Sequence, residues 1–159
     1  MTEPRLTETR ASSRDLTSLG PAALRQLALK VLAQHAGSTE GAEVLTAAAR
    51  RAYDDLVQVS TPLIGEVGVD ALIGRAVHLA QRDYPWLPAT LEADHANDPF
   101  IQVIVSLGTQ SPAIATEGAA AVFATFAGLL VTFIGEPLTT GLLRKAWPDA
   151  FSEAQTKET

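Results

Sequence analysis

Apolar side chains recur at helical spacing along most of this 159-residue chain. Pro21 suits the first turn of a helix, and one apolar face then continues to Gly37, which suits a helix C-cap. A second helix is predicted from about residue 38, kinked or ended by Pro62, and a third over residues 69–83. The first half of the chain is therefore predicted to form three helices.

The second half repeats these signals. A short apolar helix is predicted over Phe100–Leu107; the run would also suit a buried strand, but no comparable partner strand exists. Ser111-Pro112 is a cap followed by a first-turn proline, so a long helix should run from there to about Ile134. Glu136-Pro137 then opens a last helix. No strand–helix alternation and no glycine-rich phosphate loop is present, so we expect an all-α bundle of about six helices.

The chain is long enough for one domain with its own core. Polar composition predicts a disordered N-terminal tail over residues 1–16 and a polar C-terminal tail over residues 151–159. Residues 17–150 are then the helical domain. The N-terminal tail lacks the apolar stretch of a secretory signal, and with the alanine-rich composition this predicts a bacterial cytoplasmic protein.

Two segments of the sequence are similar to each other at an offset of 70 residues. Leu63-Ile64-Gly65-Glu66 corresponds to Phe133-Ile134-Gly135-Glu136, and similar residues follow each of them without a gap. The match predicts two helix–junction–helix repeats, over residues 40–85 and 110–150. They would form pseudo-symmetric halves around a central apolar helix, each covering the apolar face of the other.

Each junction combines a glycine with a carboxylate. Gly65 and Gly135 suit the end of a helix, and Glu66 and Glu136 would then stand at the N-terminus of the next helix, where the helix dipole favours negative charge. This structural role is the preferred interpretation. The alternative is that the two carboxylates face one another across the axis and bind a cation or a ligand.

Residues 118–135 carry no charge. Their length is just sufficient for a membrane span, but the segment is rich in alanine and glycine, and Glu117 stands where a basic flank would be expected. A helix that is apolar on all sides is otherwise the central helix of a bundle or part of a subunit interface. We therefore expect a core helix, with an interface and a membrane span as the alternatives.

The charge distribution disfavours nucleic-acid binding. The net charge is −6, and no Lys or Arg occurs between Arg82 and Arg144, so much of the chain cannot neutralise phosphates. Only 19% of residues are charged, which leaves little polar surface and favours self-association.

No chemical motif is evident. Cysteine is absent, and the three histidines do not follow the spacing of a helical metal site, so we expect no metal, no cofactor and no catalytic residues. The acidic cluster of residues 92–98 lacks the spacing of a calcium loop. Aromatic residues are the remaining candidates, for a pocket or an interface: Phe123, Phe126, Phe133, Trp86 and Trp147.

These observations predict a non-enzymatic helical interaction or regulatory module that acts through protein–protein contacts. It is expected to form a homo-oligomer or to bind a protein partner. One alternative is a domain that binds a small molecule or lipid in an apolar cavity near the phenylalanines. The other is a membrane-associated protein that uses residues 118–135 as a span.

Overall fold

Five helices account for most of the residues that the computed structural model describes, which are 20–37, 41–88 and 100–151. They are α1 (Pro21–Ala36), α2 (Ala42–Ala80), α3 (Phe100–Gly108), α4 (Pro112–Ile134) and α5 (Glu136–Ala146). Gly65 divides α2 into two arms, so six helical segments pack together, and the described residues include no strand. The predicted all-α bundle is confirmed. The predicted N-terminal tail, the acidic cluster and the predicted C-terminal tail after Phe151 lie outside the described residues.

Local signals in the sequence set most of the helix ends. Pro21 begins α1, and Gly37 ends it with a positive φ of 69°. The Ser111 hydroxyl caps α4 by accepting a hydrogen bond from the backbone N–H of Ile114, at 3.5 Å. Each of these ends was predicted, because capping residues satisfy the backbone groups that a helix end leaves unpaired.

The boundaries of α2 correct two predictions. The helix begins at Ala42 after Gly41, and it continues through Pro62 to a break at Gly65. Proline removes one hydrogen bond, but its fixed φ is helical, so the helix can continue past it. Gly65 has φ 82° and ψ 162°, a conformation that only glycine adopts readily. The glycine, not the proline, therefore turns the chain.

The two halves of the chain correspond in structure at the same offset of 70 residues. The helices begin at residues 42 and 112, and Gly135, at φ 93° and ψ 159°, matches the conformation of Gly65. Twelve of the thirteen buried residues of α2 have a buried residue 70 positions later; the exception is Leu72, whose counterpart Leu142 is partly exposed. The two halves thus share helix starts, corner conformation and burial pattern, and a duplication of the sequence stays a prediction.

The first arm of α2 (residues 42–64) and α4 lie side by side and run in the same direction. Leu45 and Pro112, near their starts, line one groove, and farther along Tyr53 and Phe123 both stack on Phe100. Helix α1 runs antiparallel to α4, because its first residues, Pro21 onward, lie beside the end of α4. The glycine corners that end the two parallel helices therefore lie at the same end of the bundle.

After each corner the chain folds back onto the other half. Leu79, in the second arm of α2, lies beside Ala121 of α4. In the same way, Trp147 follows α5 and its indole N–H donates a hydrogen bond to the carbonyl of Ala52 in α2, at 3.2 Å. The segment after each corner thus contacts the long helix of the other half.

Four aromatic rings join the halves in the core. Tyr53 stacks on Phe100 with ring centroids 4.1 Å apart, Phe100 lies 5.8 Å from Phe123, and Phe123 meets Trp147 edge to face at 6.1 Å. All four are at most 4% exposed. Burial of such large side chains contributes much of the driving force for folding, so both halves depend on this one core.

The uncharged segment is covered along most of its length by the other helices of the chain. Between residues 118 and 135 only Thr132 and Phe133 are exposed. By length and composition alone, α2 and α4 could each cross a membrane, since their most apolar 18-residue windows have mean hydropathies of 1.4 and 1.8. Central helices of globular bundles have the same composition.

Candidate functional site

Large apolar side chains are exposed around both glycine corners. Leu63 and Val67 flank Gly65 and are 48% and 83% exposed, and Phe133 and Leu138 flank Gly135 and are 69% and 55% exposed. Both corners lie at the same end of the bundle, so these four residues occupy one end of the molecule. We call them the junction surface. Exposed apolar residues concentrated in one region of a protein are typical of a binding surface.

The corners explain why these side chains are exposed. Leu63 and Phe133 occupy equivalent positions, two residues before their glycines. At Gly65 and Gly135 the backbone leaves the helical conformation, and the next helical segment sets off in a new direction. The described helices leave the side chains beside these turns partly or largely uncovered.

The sequence pattern predicts the wrong burial for two residues of the junction surface. Leu63 and Leu138 continue the apolar stripes of their helices, so helical periodicity assigns them to the core, but the structure exposes both. Periodicity gives the face of a helix on which a residue lies, not whether a neighbouring segment extends far enough to cover it. Phe133, predicted as a pocket or interface residue, is exposed in the junction surface.

The junction carboxylates lie at the same end of the bundle. Glu66 is exposed and Glu136 is partly exposed, and each begins a helical segment. No Lys or Arg lies between Arg51 and Arg75 or between Arg82 and Arg144, so neither corner has a basic residue near it in sequence. Among the described residues, no three His, Cys, Asp or Glu side chains converge as metal ligands would. Glu66 and Glu136 are thus close in sequence to the apolar residues of the junction surface.

The other aromatic candidates lie in different places in the structure and do not form one site. Phe123 and Phe126 are 0% exposed and lie in the core, so they do not line a pocket open to solvent. Trp86 packs over Gly118, where a Cβ atom would come within 2.5 Å of the indole ring. Trp147 is 4% exposed and is also part of the core. Of this set, only Phe133 is mostly exposed to solvent.

An apolar groove of about 690 Å³ lies between α1, the second arm of α2 and the outer face of α4. Small residues of α4, Ala121, Ala124 and Gly128, form its floor. Arg25 stands at its rim, where it donates a hydrogen bond to the Tyr84 hydroxyl at 2.9 Å and lies 3.6 Å from Glu117. The tyrosine hydroxyl raises the pKa of this guanidinium. Small side chains on α4 thus leave room for a groove.

A smaller, polar pocket of about 290 Å³ lies on the other half of the chain. His35 of α1 and Asp55 of α2 approach there, with Nε2 and Oδ2 3.7 Å apart. Burial of the ring and the nearby Arg51 cation lower the pKa of His35, against the opposing effect of Asp55. The ring is therefore neutral at pH 7. This partner of His35, Asp55, lies on another helix.

The lowered pKa of His35 predicts that stability falls in mild acid. A neutral histidine in the folded state must take up a proton as the pH falls below its ordinary value of 6.5, and the unfolded chain accepts that proton more readily. The free energy of unfolding should thus be lower at about pH 5.5 than at about pH 7.5. His35→Gln should reduce this difference, measured by urea unfolding at both pH values. The matched change at exposed His78, His78→Gln, should leave it unaltered; an equal effect of both changes would contradict the assignment.

A buried hydroxyl in α2 predicts a stabilising substitution. Ser60 is 0% exposed, and its Oγ makes no hydrogen bond to any described residue. Burial of an unpaired hydroxyl costs free energy, so Ser60→Ala should raise the free energy of unfolding by about 1 kcal/mol. Urea unfolding measures the change. The control is Ser106→Ala, since the Ser106 hydroxyl donates to the carbonyl of Gln102 at 3.0 Å and its removal should bring no gain. A loss of stability in Ser60→Ala would show that this hydroxyl has a partner.

Comparison with known proteins gives no match. No protein-family model matches the sequence, and neither a curated protein nor a solved structure is significantly similar to it. A function for the chain must therefore be inferred from its own surfaces.

Proposed function

We propose that the protein is a non-enzymatic helical interaction module that binds a protein partner through the junction surface. One observation carries the proposal: Leu63, Val67, Phe133 and Leu138 are exposed around two equivalent glycine corners at one end of the bundle. Partner binding removes such apolar side chains from water, and a few large ones near the centre of an interface commonly supply most of the binding energy.

The polar pocket supports an enzymatic function less well than the junction surface supports the binding of a partner. His35 and Asp55 approach there, but the pocket lining contains no hydroxyl or thiol side chain that could serve as a nucleophile beside the histidine. The junction surface, in contrast, holds four of the seven large apolar side chains that are exposed among the described residues; the other three are Ile101, Val105 and Ile114. A cytoplasmic location and self-association stay predictions.

Site-specific photocrosslinking tests the proposal. A photoreactive amino acid is placed at position 67 or 133 and, as the control, at position 105, where Val105 is 63% exposed on α3 near the opposite end of the bundle. Irradiation of cells that express each variant should yield a discrete protein adduct at positions 67 and 133 and none at 105. Adducts at all three positions alike, or at 105 only, would contradict the proposal.

A second candidate function is the binding of an apolar small molecule or lipid. The apolar groove at α4 favours it, since its volume of about 690 Å³ lies in the range of ligand sites. Native mass spectrometry of the purified protein tests this candidate. A retained ligand that is lost when Gly128→Leu fills the groove would support it. A protein of unmodified mass that takes up no added fatty acid or phospholipid would exclude it.

A further inference from the structure

We infer that the polar pocket of about 290 Å³ binds a small zwitterion, of the kind of a free α-amino acid with an apolar side chain. No residue of the junction surface lines this pocket, so the site goes beyond the proposed function. Three features of the pocket carry the inference. They are charged side chains of both signs that leave each other unpaired, a histidine nitrogen without a hydrogen bond, and an apolar wall.

Charged side chains of both signs line the pocket. Arg51 and Asp55 come from α2, and Lys145 and Asp149 come from the end of α5 and the residues after it. Gln34 of α1 joins these segments, because its side-chain N–H donates a hydrogen bond to the backbone carbonyl of Asp149 at 3.3 Å. Two cations and two carboxylates therefore meet at one small pocket between α1, α2 and the end of α5.

The charged side chains that α2 contributes to the pocket do not neutralise each other. Arg50 and Asp54 form an ion pair at 2.9 Å, as their four-residue spacing on a helix favours. Arg51 and Asp55 have the same spacing but form no such pair, and Asp55 Oδ2 lies 3.7 Å from His35 Nε2 instead. Among the residues that the structure describes, Arg51 makes no ion pair and no hydrogen bond.

Unpaired charges of both signs favour a ligand that also carries both. The side chains of Lys145 and Asp149 are exposed, and they too form no ion pair with a described residue. A simple anion would be attracted by the two cations but repelled by the carboxylates, and a simple cation the reverse. A zwitterion can place its carboxylate against the cations and its ammonium group against the carboxylates. The pocket therefore selects a ligand of mixed charge.

The wall of the pocket also holds a buried nitrogen without a partner. Nε2 of His35 makes no hydrogen bond with a described residue, and its distance of 3.7 Å from Asp55 is too long for one. Native proteins pair nearly all of their buried polar atoms. The polar groups of this pocket are thus not satisfied by the described part of the chain, as is expected of a site that a polar ligand completes.

The fold does not require charged residues around this pocket. Three of them have uncharged counterparts 70 positions away, and all three counterparts line the apolar groove: Ala121 for Arg51, Thr125 for Asp55 and Leu79 for Asp149. The same positions in the other half are thus occupied by small or apolar side chains. Packing of the helices therefore does not explain the charges of the polar pocket, whereas ligand binding does.

The apolar wall and the volume of the pocket set the size of the ligand. Val31, Ala146 and Trp147 line the pocket and are at most 6% exposed, so they offer an apolar contact beside the charges. A volume of about 290 Å³ corresponds to about ten water-sized groups at roughly 30 Å³ each. Leucine and methionine have about this many non-hydrogen atoms, together with a zwitterionic end and an apolar side chain.

Titration of the full-length protein with leucine and with methionine, followed by NMR, tests the inference. At least one of them should shift the signals of the His35 ring and the Trp147 indole saturably, with a dissociation constant of about 1 mM or lower. The N-acetyl form of the same amino acid lacks the ammonium charge, and its amide lacks the carboxylate. Each derivative should bind at least about tenfold more weakly, because one sign of charge in the pocket then stays unpaired.

Neighbouring residues of α2 provide matched variants. Arg51→Gln removes a cation from the pocket, whereas Arg50→Gln removes one that does not line it. Arg51→Gln should weaken binding of the amino acid by about fivefold or more, and Arg50→Gln should change it by less than about twofold. Asp149→Asn should weaken binding in the same way, with Asp54→Asn as its control.

Several outcomes would overturn the inference. If neither amino acid shifts the His35 and Trp147 signals, the pocket takes no such ligand. Binding of the N-acetyl form or of the amide as tight as that of the free amino acid would show that one charge suffices, which excludes a zwitterion site. Equal effects of Arg51→Gln and Arg50→Gln would place the ligand elsewhere. Crosslinks at positions 67 and 133 are measured separately, so failure here leaves the proposed function standing.

Discussion

Replacement of Phe123 by alanine is expected to lower the free energy of unfolding by about 3–5 kcal/mol. The ring is 0% exposed and lies between Phe100 and Trp147, which come from the two other segments that meet at α4. Its removal leaves a cavity that these rigid neighbours cannot fill, so both transfer energy and packing are lost. Since whole domains of this size are commonly stable by about 5–15 kcal/mol, the variant should be close to unfolding.

The same helix provides a control for this prediction. Phe133→Ala makes the same chemical change ten residues further along α4, but Phe133 is 69% exposed. Its effect on stability should stay within about 0.5 kcal/mol. Urea unfolding followed by far-ultraviolet circular dichroism measures both variants. Equal losses would mean that Phe133 is as buried as Phe123, and the junction surface would then not exist.

Alanine at either glycine corner is expected to destabilise the protein by about 1–3 kcal/mol. Gly65 and Gly135 have φ values of 82° and 93° with ψ near 160°, a region of backbone conformation that is almost restricted to glycine. A Cβ at Gly65 would meet no atom within 4 Å, so its loss of stability would come from backbone strain and not from a clash. The double variant should lose about the sum, because an added Cβ would meet no atom within 4 Å at Gly65 and only the Pro137 ring at Gly135.

Two other glycines provide controls for the substitutions at the corners. Gly74 and Gly141 lie in the second arm of α2 and in α5, where an added Cβ would also meet nothing within 4 Å, and neither has a positive φ. Gly74→Ala and Gly141→Ala should stabilise the protein by about 0.5–1 kcal/mol, since alanine is the better helix former. Thermal or urea unfolding of the four variants gives the comparison. A gain of stability in Gly65→Ala or Gly135→Ala would show that the chain does not turn there.

Much of the fold could be predicted from local signals in the sequence. Pro21, Gly37, Ser111 and Pro112 mark helix ends through their own backbone chemistry, which does not depend on the rest of the fold. The match between Gly65 and Gly135 predicted two similar corners, and the glycines share one backbone conformation. Each of these features depends on only a few neighbouring residues, so it could be predicted from the sequence.

Features that depend on neighbouring helices could not be predicted in the same way. Pro62 is a helix breaker by local rules, yet α2 passes through it and turns three residues later. Leu63 and Leu138 look like core residues by periodicity, but no described segment covers them in the structure. Phe123 and Phe133 belong to the same uncharged run, and only packing distinguishes a buried ring from an accessible one. The exposure of the candidate site could therefore not be predicted from the sequence.

The affinity between the protein and the partner identified by crosslinking tests the central claim most directly. Isothermal titration calorimetry with the wild-type protein, Phe133→Ser and Val105→Ser would compare one residue of the junction surface with an exposed apolar residue near the opposite end. If the junction surface is the binding site, Phe133→Ser should raise the dissociation constant by about tenfold or more, and Val105→Ser should leave it within about twofold. Unchanged affinity in Phe133→Ser, with the fold intact by circular dichroism, would contradict the claim.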